Sequence, residues 1–344
     1  MARQPVVPRN EHDPTSTQRM VAGASNNFNR RLNVVFNNVN KIIKELDYTK
    51  VQANQSFIVV NGLNVQRRWT FNHDTEQSEP IYIKRELRTN ETTYNYNLSA
   101  FELNRLNETI GSMIERLFMV DDEGNLLRVD NAKQLWLMSG YVEPAYEKGT
   151  AQAFTNLALQ SDVYASATMD VEQLFFSQAY QRRIGFVAAR EFELMQGFTA
   201  DVIKETRFVL GDGIALGKSP REIASELQSR INVSKSRAKR IAQTEIPGAL
   251  RRANWAETDQ ASIDYGIRTM QMHMSAFKKT SRPNHIARSG GLYTSKQIKD
   301  WYSNPRNAIN CYCTQIATVV DDEGKPLSDG AQKKVLKMKE NFVR

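Results

Sequence analysis

Apolar residues recur at helical spacing through long stretches of this chain, and after about residue 262 the spacing switches to period two. Between about 131 and 257, Leu174, Phe175, Tyr180, Ile184, Val187, Phe192, Leu194 and Met195 follow the three- and four-residue steps of an amphipathic helix. A stripe of this kind is the buried face of packed helices. After 262, IRTMQMHMSAF alternates instead: Met270, Met272 and Met274 share one face of a strand, and Thr269, Gln271 and His273 share the other. The expected class is α+β, with a mostly helical N-terminal and central region and a small α+β C-terminal domain.

The rest of the chain divides around that switch. Residues 1–28 are polar and rich in turn formers (Pro5, Pro8, Pro14), and read as a flexible arm that a partner orders. Residues 29–130 read as a mixed helix and strand region. RRLNVVFNNVNKIIKEL places Leu32, Val35, Phe36, Val39, Ile42, Ile43 and Leu46 on one helical stripe with a basic polar face. SFIVV and PIYIKREL read as short strands. SAFELNRLNETIGSMIERLF reads as a helix with Phe101, Leu103, Leu106, Ile110, Met113 and Leu117 as its stripe. Residues 131–260 form the helical region, and 261–325 a small closing domain packed on the helices of 219–257. In that domain Thr294 and Gln297 have capping-box spacing, Ile298 and Trp301 mark the buried side of the helix they open, and a strand starts near Cys311. The basic segment 326–344 is a helix or a frayed end. VDDEG occurs twice, ending at Gly124 and Gly324, and a turn with a left-handed glycine explains both; the acids do not have calcium-loop spacing.

GDGIALGKS resembles a phosphate loop, but that loop needs four residues between its first glycine and Gly-Lys-Ser, and a strand before it. Here a helical pattern precedes it, and the glycine spacings leave three or five. Gly211, Gly213 and Gly217 instead read as the end of one helix. Ser219 caps the next, Pro220 takes its first position, and Glu222 closes a capping box. Ile223, Leu227 and Ile231 then form one short helix, and SKSRAKRIAQTEIPGALRRANWAET a second. Arg30 and Arg31 upstream, with Lys235, Arg237, Lys239, Arg240, Arg251 and Arg252 here, are the candidates for DNA or partner contact. A helix-turn-helix with a basic recognition helix has this pattern, and so does a structural helix pair with a solvated basic face. Ala238, Ala242, Ala249, Ala253 and Ala256 form a small-residue stripe that permits close packing. Glu245 lies on it and needs a partner, most simply an arginine. Pro247 removes a helical donor, so a kink is expected there.

The charge balance is 46 − 38 = +8, with pI near 9.3, which attracts polyanions such as nucleic acid or acidic protein surfaces. The opening stretch lacks the apolar core of a signal peptide, and no run of about 18 apolar residues spans a membrane. Two cysteines make no disulfide framework, and a bridge between neighbours two apart is strained; a reducing compartment such as a bacterial cytoplasm fits.

Those cysteines, Cys311 and Cys313, face the same way on a strand, and can approach one cation together. With His285 and His273 a Cys2His2 zinc set is formally available, although no common ribbon or finger has this spacing. A His-Asn-His nuclease order needs a second histidine downstream of His285, and none follows. A Cys–His nucleophile pair and a purely architectural motif, with the cysteines as small buried hydrophobes, complete the alternatives.

Two blocks resemble a known family. RAKRIAQTEIPGALRRAN is similar to the "R-A-x-x-I-A-R-T-E … A-x-N" helix of the phage Mu F-like head morphogenesis proteins, the minor head proteins of tailed bacteriophages. RPNHIARSGGLYTSKQIKDWYSNPRNAINCYC resembles that family's "R-x-x-H … G … N-C-x-C" closing block. The order of the blocks, and the G-x-S-x-x-E-I-A helix start at Gly217, also fit. The matching positions are Ala238, Ile241, Ala242, Thr244, Glu245, Ala253, Asn254, Arg282, His285, Gly290, Asn310, Cys311 and Cys313, across about 200 to 320. The chain departs from the pattern at Gln243, where the family usually has arginine, at Pro247, which interrupts the helix, and in FKKTSRPNH, which lacks the usual acid.

The resemblance implies a structural, non-enzymatic protein of the phage head, associated with the portal vertex and acting in head assembly and in DNA packaging or ejection. It implies the portal protein and other head proteins as partners, packaged DNA met through non-specific electrostatics, and a location in the virion after assembly in the host cytoplasm. Residues 29–130 are then the candidate portal-docking region. The motif residues become architectural: Glu245, Asn254, Arg282, His285, Gly290, Trp301, Asn310, Cys311 and Cys313. No cofactor comes with the resemblance; zinc on His285, Cys311 and Cys313 is the one metal the residues themselves suggest. A DNA-binding protein using the basic helix 234–256, and a nuclease or toxin-like effector, are the competing readings.

Overall fold

The computed structural model describes residues 3–52, 58–60, 63–72, 77–84, 92–121, 123–167 and 170–343. In chain order these form α1 (Gln18–Glu45), β1 (Tyr48–Gln52), β2 (Ile58–Val60), β3 (Leu63–Asn72), β4 (Gln77–Lys84), β5 (Thr92–Tyr96) and α2 (Ala100–Phe118). A short 3-10 segment and a π turn lead into α3 (Glu143–Gln160), α4 (Asp162–Ala167), α5 (Val171–Phe176), α6 (Gln178–Ala215) and α7 (Pro220–Tyr265). The closing part holds β6 (Thr269–Met274), α8 (Pro283–Ala287), β7 (Leu292–Tyr293), α9 (Ser295–Ser303), α10 (Pro305–Ala308), β8 (Thr314–Val319) and α11 (Gly330–Asn341). The expected α+β class is therefore observed: mostly helical, with small antiparallel sheets and a compact α+β C-terminal part.

Two compact units divide the chain, and neither is continuous in sequence. The first comprises Met1–Asn26, Asp130–Glu191 and Lys239–Arg344, and the second Asn27–Val129 and Phe192–Ala238. Helices α1, α6 and α7 each supply residues to both, so linear segments such as 131–260 do not coincide with either unit.

In the second unit the apolar stripe of α1 is buried at Leu32, Val35, Val39 and Ile43. Phe28, Phe118 and Phe198 stack edge-on and tilted, with centroids 5.3, 5.4 and 6.5 Å apart. Of the stripe expected on α2, Leu103 and Ile110 are buried, while Phe101 is 75% exposed. The helix instead buries Leu103, Asn107, Ile110, Gly111, Ile114 and Phe118. Phe101 sits in the first turn, beside the Ser99–Glu102 capping box, where the helix end is solvated. β2 falls within SFIVV, and β4 overlaps PIYIKREL but starts three residues earlier, at Gln77. The ends of those segments, residues 56–57 and 85–87, lie outside the described residues.

The glycines near 211 do not end a helix as the sequence suggested. Gly211 and Gly213 lie inside α6, where the missing side chain of Gly213 lets Ile223 of α7 approach closely. Gly217, at φ +59°, is the terminator. The capping box at Ser219 and Glu222 forms as expected, with Ser219 N–H donating to Glu222 Oε2 at 2.7 Å and Glu222 N–H to Ser219 Oγ at 3.2 Å. The short helix, turn and long helix expected after it are one helix of 46 residues. No glycine or proline stands between Ile231 and Ala238, and Ser234 and Ser236 bond back to the carbonyls of Arg230 and Asn232, so nothing turns the chain. The helix-turn-helix reading falls with that turn. α7 also runs on through Pro247, which does not interrupt it.

The first unit forms around the later half of α7. Its small-residue stripe meets Gly149 of α3, where an added Cβ would collide with the Leu250 carbonyl and Ala253. The antiparallel sheet runs in the order β7-β6-β8. The outer edge of β8 is capped by Gln160 of α3, whose Nε2 donates to the Ala317 carbonyl and whose Oε1 accepts from Val319 N–H, both at 3.0 Å. A side-chain amide thus supplies the pairing that a further strand would give. Met272 and Met274 enter an apolar core with Phe277, Ile316 and Val335, while Met270 is only half-buried. The opposite face of β6 is also buried at Gln271 and His273. Strand β8 begins at Thr314, so Cys311 and Cys313 lie just ahead of it.

Residues 3–28 are not a free arm. Arg3 N–H donates to the Leu159 carbonyl at 3.3 Å, Val6 N–H to Asn156 Oδ1 at 2.8 Å, and Phe277 N–H to the Glu11 carbonyl at 3.0 Å. Val7 is buried in the core of Met272 and Met274, and residues 18–28 are the first turns of α1, whose start is capped by Asp13. Prolines hold such a segment extended, and its backbone groups find partners on folded neighbours. The basic tail is ordered too, as α11 with Ala331 and Val335 buried. Both VDDEG turns form: Asp121 and Asp321 accept backbone N–H bonds through Oδ1, and Gly124 and Gly324 have φ of +88° and +76°.

Candidate functional site

The motif residues of the closing block come together in the first unit. α8 carries His285, and the segment entering β8 carries Cys311 and Cys313. His285 Nδ1 lies 3.4 Å from Cys313 Sγ and 3.5 Å from Cys311 Sγ. All three side chains are buried, and their ligand atoms fall within 4.8 Å of one another. His273 stands outside this set. Its Nδ1 faces Gln315 Nε2 at 3.1 Å, so the Cys2His2 combination available in the sequence is not assembled.

Several elements hold the cluster in place. Arg251 of α7 is buried and donates through Nη1 to the carbonyls of Cys311 at 2.6 Å and Cys313 at 3.3 Å, with its guanidinium 4.7 Å from the Tyr302 ring. Arg282, at the start of α8, donates to the carbonyls of Arg306, Asn307 and Ile309 and so ties α10 to α8. Asn310 takes a left-handed φ of +54°, which turns the chain just before Cys311, and its N–H donates to Thr244 Oγ1 of α7 at 3.3 Å. The Trp301 ring centroid lies 4.6 Å from that of His285. Gly290, at φ +80°, donates to the His273 carbonyl and leaves room for Leu336. Gln315 accepts from Trp255 Nε1 at 2.9 Å and donates to Tyr302 Oη at 3.2 Å. Asn254 is buried, and its side-chain amide has no hydrogen-bond partner among the described residues.

The two thiols divide in character. Burial opposes charge on Cys311, but the Cys313 hydrogen bond, the Arg251 guanidinium and His285 together outweigh it and hold this thiol well below its ordinary value. Cys313, hydrogen-bonded to that sulfur and itself buried, is pushed well above. Burial pushes the His273 imidazole down to about 3, so it is neutral near pH 7.

A second polar network surrounds Glu245. The arginine partner that its burial demanded is present twice, Arg190 at 2.7 Å and Arg252 at 3.4 Å, both reaching Oε2. Glu191, fully buried beside them, is 3.8 Å from Arg252. Burial, with Glu245 alongside, pushes the Glu191 carboxyl up to about 8.

The basic candidates separate accordingly. Arg251 is buried on the Cys311 and Cys313 carbonyls, and Arg252, half-buried, is paired with Glu245. On α7 a guanidinium at either position points toward buried carbonyls or carboxylates, which a sequence pattern of charge does not reveal. Arg237 pairs with Asp201 and lies over Phe198. Arg31 bonds Asn27 and the Leu117 carbonyl, and Arg30 is exposed with a bond to Asn27. Lys239 and Arg240 are exposed, and Lys235 is half-exposed. The positioning residues that pattern reading missed are Gln315, Trp255, Tyr302 and Glu191. A glutamine inside the apolar TQIATV strand was the one available signal for the first of these.

Fold and site together define a mostly helical protein whose long α7 is clasped by a small α+β closing block through a buried Arg–His–Cys–Cys cluster. Residues 204–316, about a third of the chain, match the family model described as phage Mu protein F like protein, so the resemblance carried by the two sequence blocks is borne out over the stretch where they lie. The match suggests a phage head morphogenesis protein, with head-assembly partners, and with the virion and the host cytoplasm as its setting. No curated protein and no solved structure matches the chain. Among the described residues no helix is long and apolar enough to cross a membrane.

Proposed function

We propose that this chain is a structural minor head protein of a tailed phage, stationed at the portal vertex and acting in head assembly and in DNA packaging or ejection. The observation that carries the reading is the family match over 204–316, which contains both motif blocks. In this reading the motif residues are architectural rather than catalytic: Arg282 holds backbone carbonyls, Asn310 turns the chain and is tied to Thr244, and Glu245 holds arginines. The portal protein and other head proteins are the partners. Packaged DNA is met through exposed cations such as Arg30, Lys239 and Arg240, supported by the net charge of +8.

Quantitative mass spectrometry of purified virions beside empty procapsids tests this. A fixed, low ratio to the portal protein in either particle is expected, and absence from both overturns the reading. DNA contact of the proposed kind is blind to sequence and weakens steeply with salt. A sequence preference that persists at high salt would instead favour a specific DNA-binding protein.

A further inference from the structure

We propose that His285, Cys311 and Cys313 bind one zinc ion, with the fourth coordination position open to the adjoining cavity. The inference does not depend on the role in the phage head. It begins with distance. A tetrahedral zinc ion with Zn–S of about 2.3 Å and Zn–N of about 2.0–2.1 Å sets its sulfur and nitrogen ligands roughly 3.5 Å apart. The two Nδ1···Sγ separations here are 3.4 and 3.5 Å. Two of the three ligand-to-ligand edges therefore already match the required polyhedron, and all three ligand atoms lie within 4.8 Å of one another.

The chemistry of the donor set agrees. Two thiolates neutralise a divalent cation, so the loaded centre is far cheaper to bury than either ion alone. Binding displaces whatever thiol protons remain to solvent and leaves the imidazole bound through Nδ1, with the proton on Nε2. His285 Nε2 is buried with no hydrogen-bond partner among the described residues. Its tautomer is thus not dictated by another group, and Nδ1 is free to ligate. Arg251, by holding the Cys311 and Cys313 carbonyls, fixes the backbone that aims both sulfurs at one point, a positioning role of the kind that outer-shell partners serve at metal centres.

A cavity of about 400 Å³ reaches all three ligands and is lined beyond them by Gln243, Lys278, Ser281 and Arg282. None of these brings a further sulfur or imidazole, so the fourth ligand is water or a small anion, the latter favoured by the two cations. A centre here joins α8 to the start of β8 across 26 and 28 residues, stapling a closing block that has only a small core of its own.

The test uses the full chain, prepared with zinc under reducing conditions. Elemental analysis is expected to find one zinc per chain. After chelation, titration with cobalt is expected to produce thiolate-to-cobalt charge-transfer absorption that saturates at one equivalent. Cys313→Ser should abolish that absorption, and His285→Gln should weaken cobalt binding by at least about tenfold, while His273→Gln leaves both unchanged. Azide should shift the cobalt spectrum through the open position; a spectrum indifferent to azide overturns the open fourth site. Wild-type chain that retains no zinc and develops no thiolate absorption with cobalt overturns the proposal without reliance on any variant folding. Full absorption in a folded Cys313→Ser chain overturns the ligand assignment.

Discussion

The two compact units are held together by different physics. The second is closed by apolar packing, with Phe28, Phe118 and Phe198 in mutual ring contact and the stripes of α1 and α2 around them. The first has apolar clusters as well, but its closing block is organised by buried polar groups: Arg251 on two carbonyls, Gln315 between Trp255 and Tyr302, and Glu191 beside Glu245. Apolar packing is non-directional and tolerates exchange of one hydrophobe for another of similar size. A buried polar network is directional, and each member is costly if its partner is removed. The lesson is that most of the residues matching the family pattern fall in the unit where substitution is least forgiving.

The largest effect that sharpens this contrast is expected from Phe198→Ala, which empties the aromatic core of the second unit and should cost about 3–5 kcal/mol. Denaturant unfolding would measure it, and Phe198→Leu should recover most of the loss, because volume rather than direction is at stake. In the first unit Arg251→Ala should cost about 3 kcal/mol by stranding the Cys311 and Cys313 carbonyls. Here Arg251→Met, of similar length, should recover little. Equal rescue in the two units would break the distinction.

A third effect comes from pH, and it is smaller per pH unit. The folded-state value of Glu191 is raised from 4.5 to about 8, so across that interval the folded chain holds a proton that the unfolded chain has released. Stability from this group is therefore greatest at the acid end and falls as pH rises from about 5 to about 8, by at most about 1.4 kcal/mol per unit. Glu191→Gln should flatten that slope, and an unchanged slope in a pH series of unfolding curves would rule this carboxyl out as its source. The smallest change is Ser219→Ala, which removes the cap of α7 in the second unit and should cost about 1 kcal/mol. Its cost should be constant across the same pH range, unlike that of Glu191→Gln.

Legibility in the sequence follows the same division. The stripes of α1 and α6, the alternation of β6, the capping boxes at Ser219 and Thr294 and the two Asp–Gly turns all rest on interactions between near neighbours, and all are present. Where neighbours were silent, the reading failed. Residues 3–28 looked like a free arm because their partners, Asn156, Leu159 and Phe277, lie far along the chain. Gly213 looked like punctuation because its reason for being glycine is Ile223 of the next helix. Arg251 and Arg252 looked like a cationic face because the Cys311 and Cys313 carbonyls and Glu191 come from other elements, and Glu245 meets Arg252 only across two turns of α7.

Secondary structure class, the switch from helical to strand spacing, and the order of motif residues that match the Mu F-like family could all be read from the chain, since each depends on local backbone preference or on residue identity alone. Only the tertiary structure decided that α7 is one helix, that Glu245 meets two arginines while His285 meets two cysteines, and that His273 is left out of that cluster. Burial is the physical reason. A charged or ligating side chain acquires its role from what surrounds it once water is gone, and the chain's order does not state which distant groups those will be.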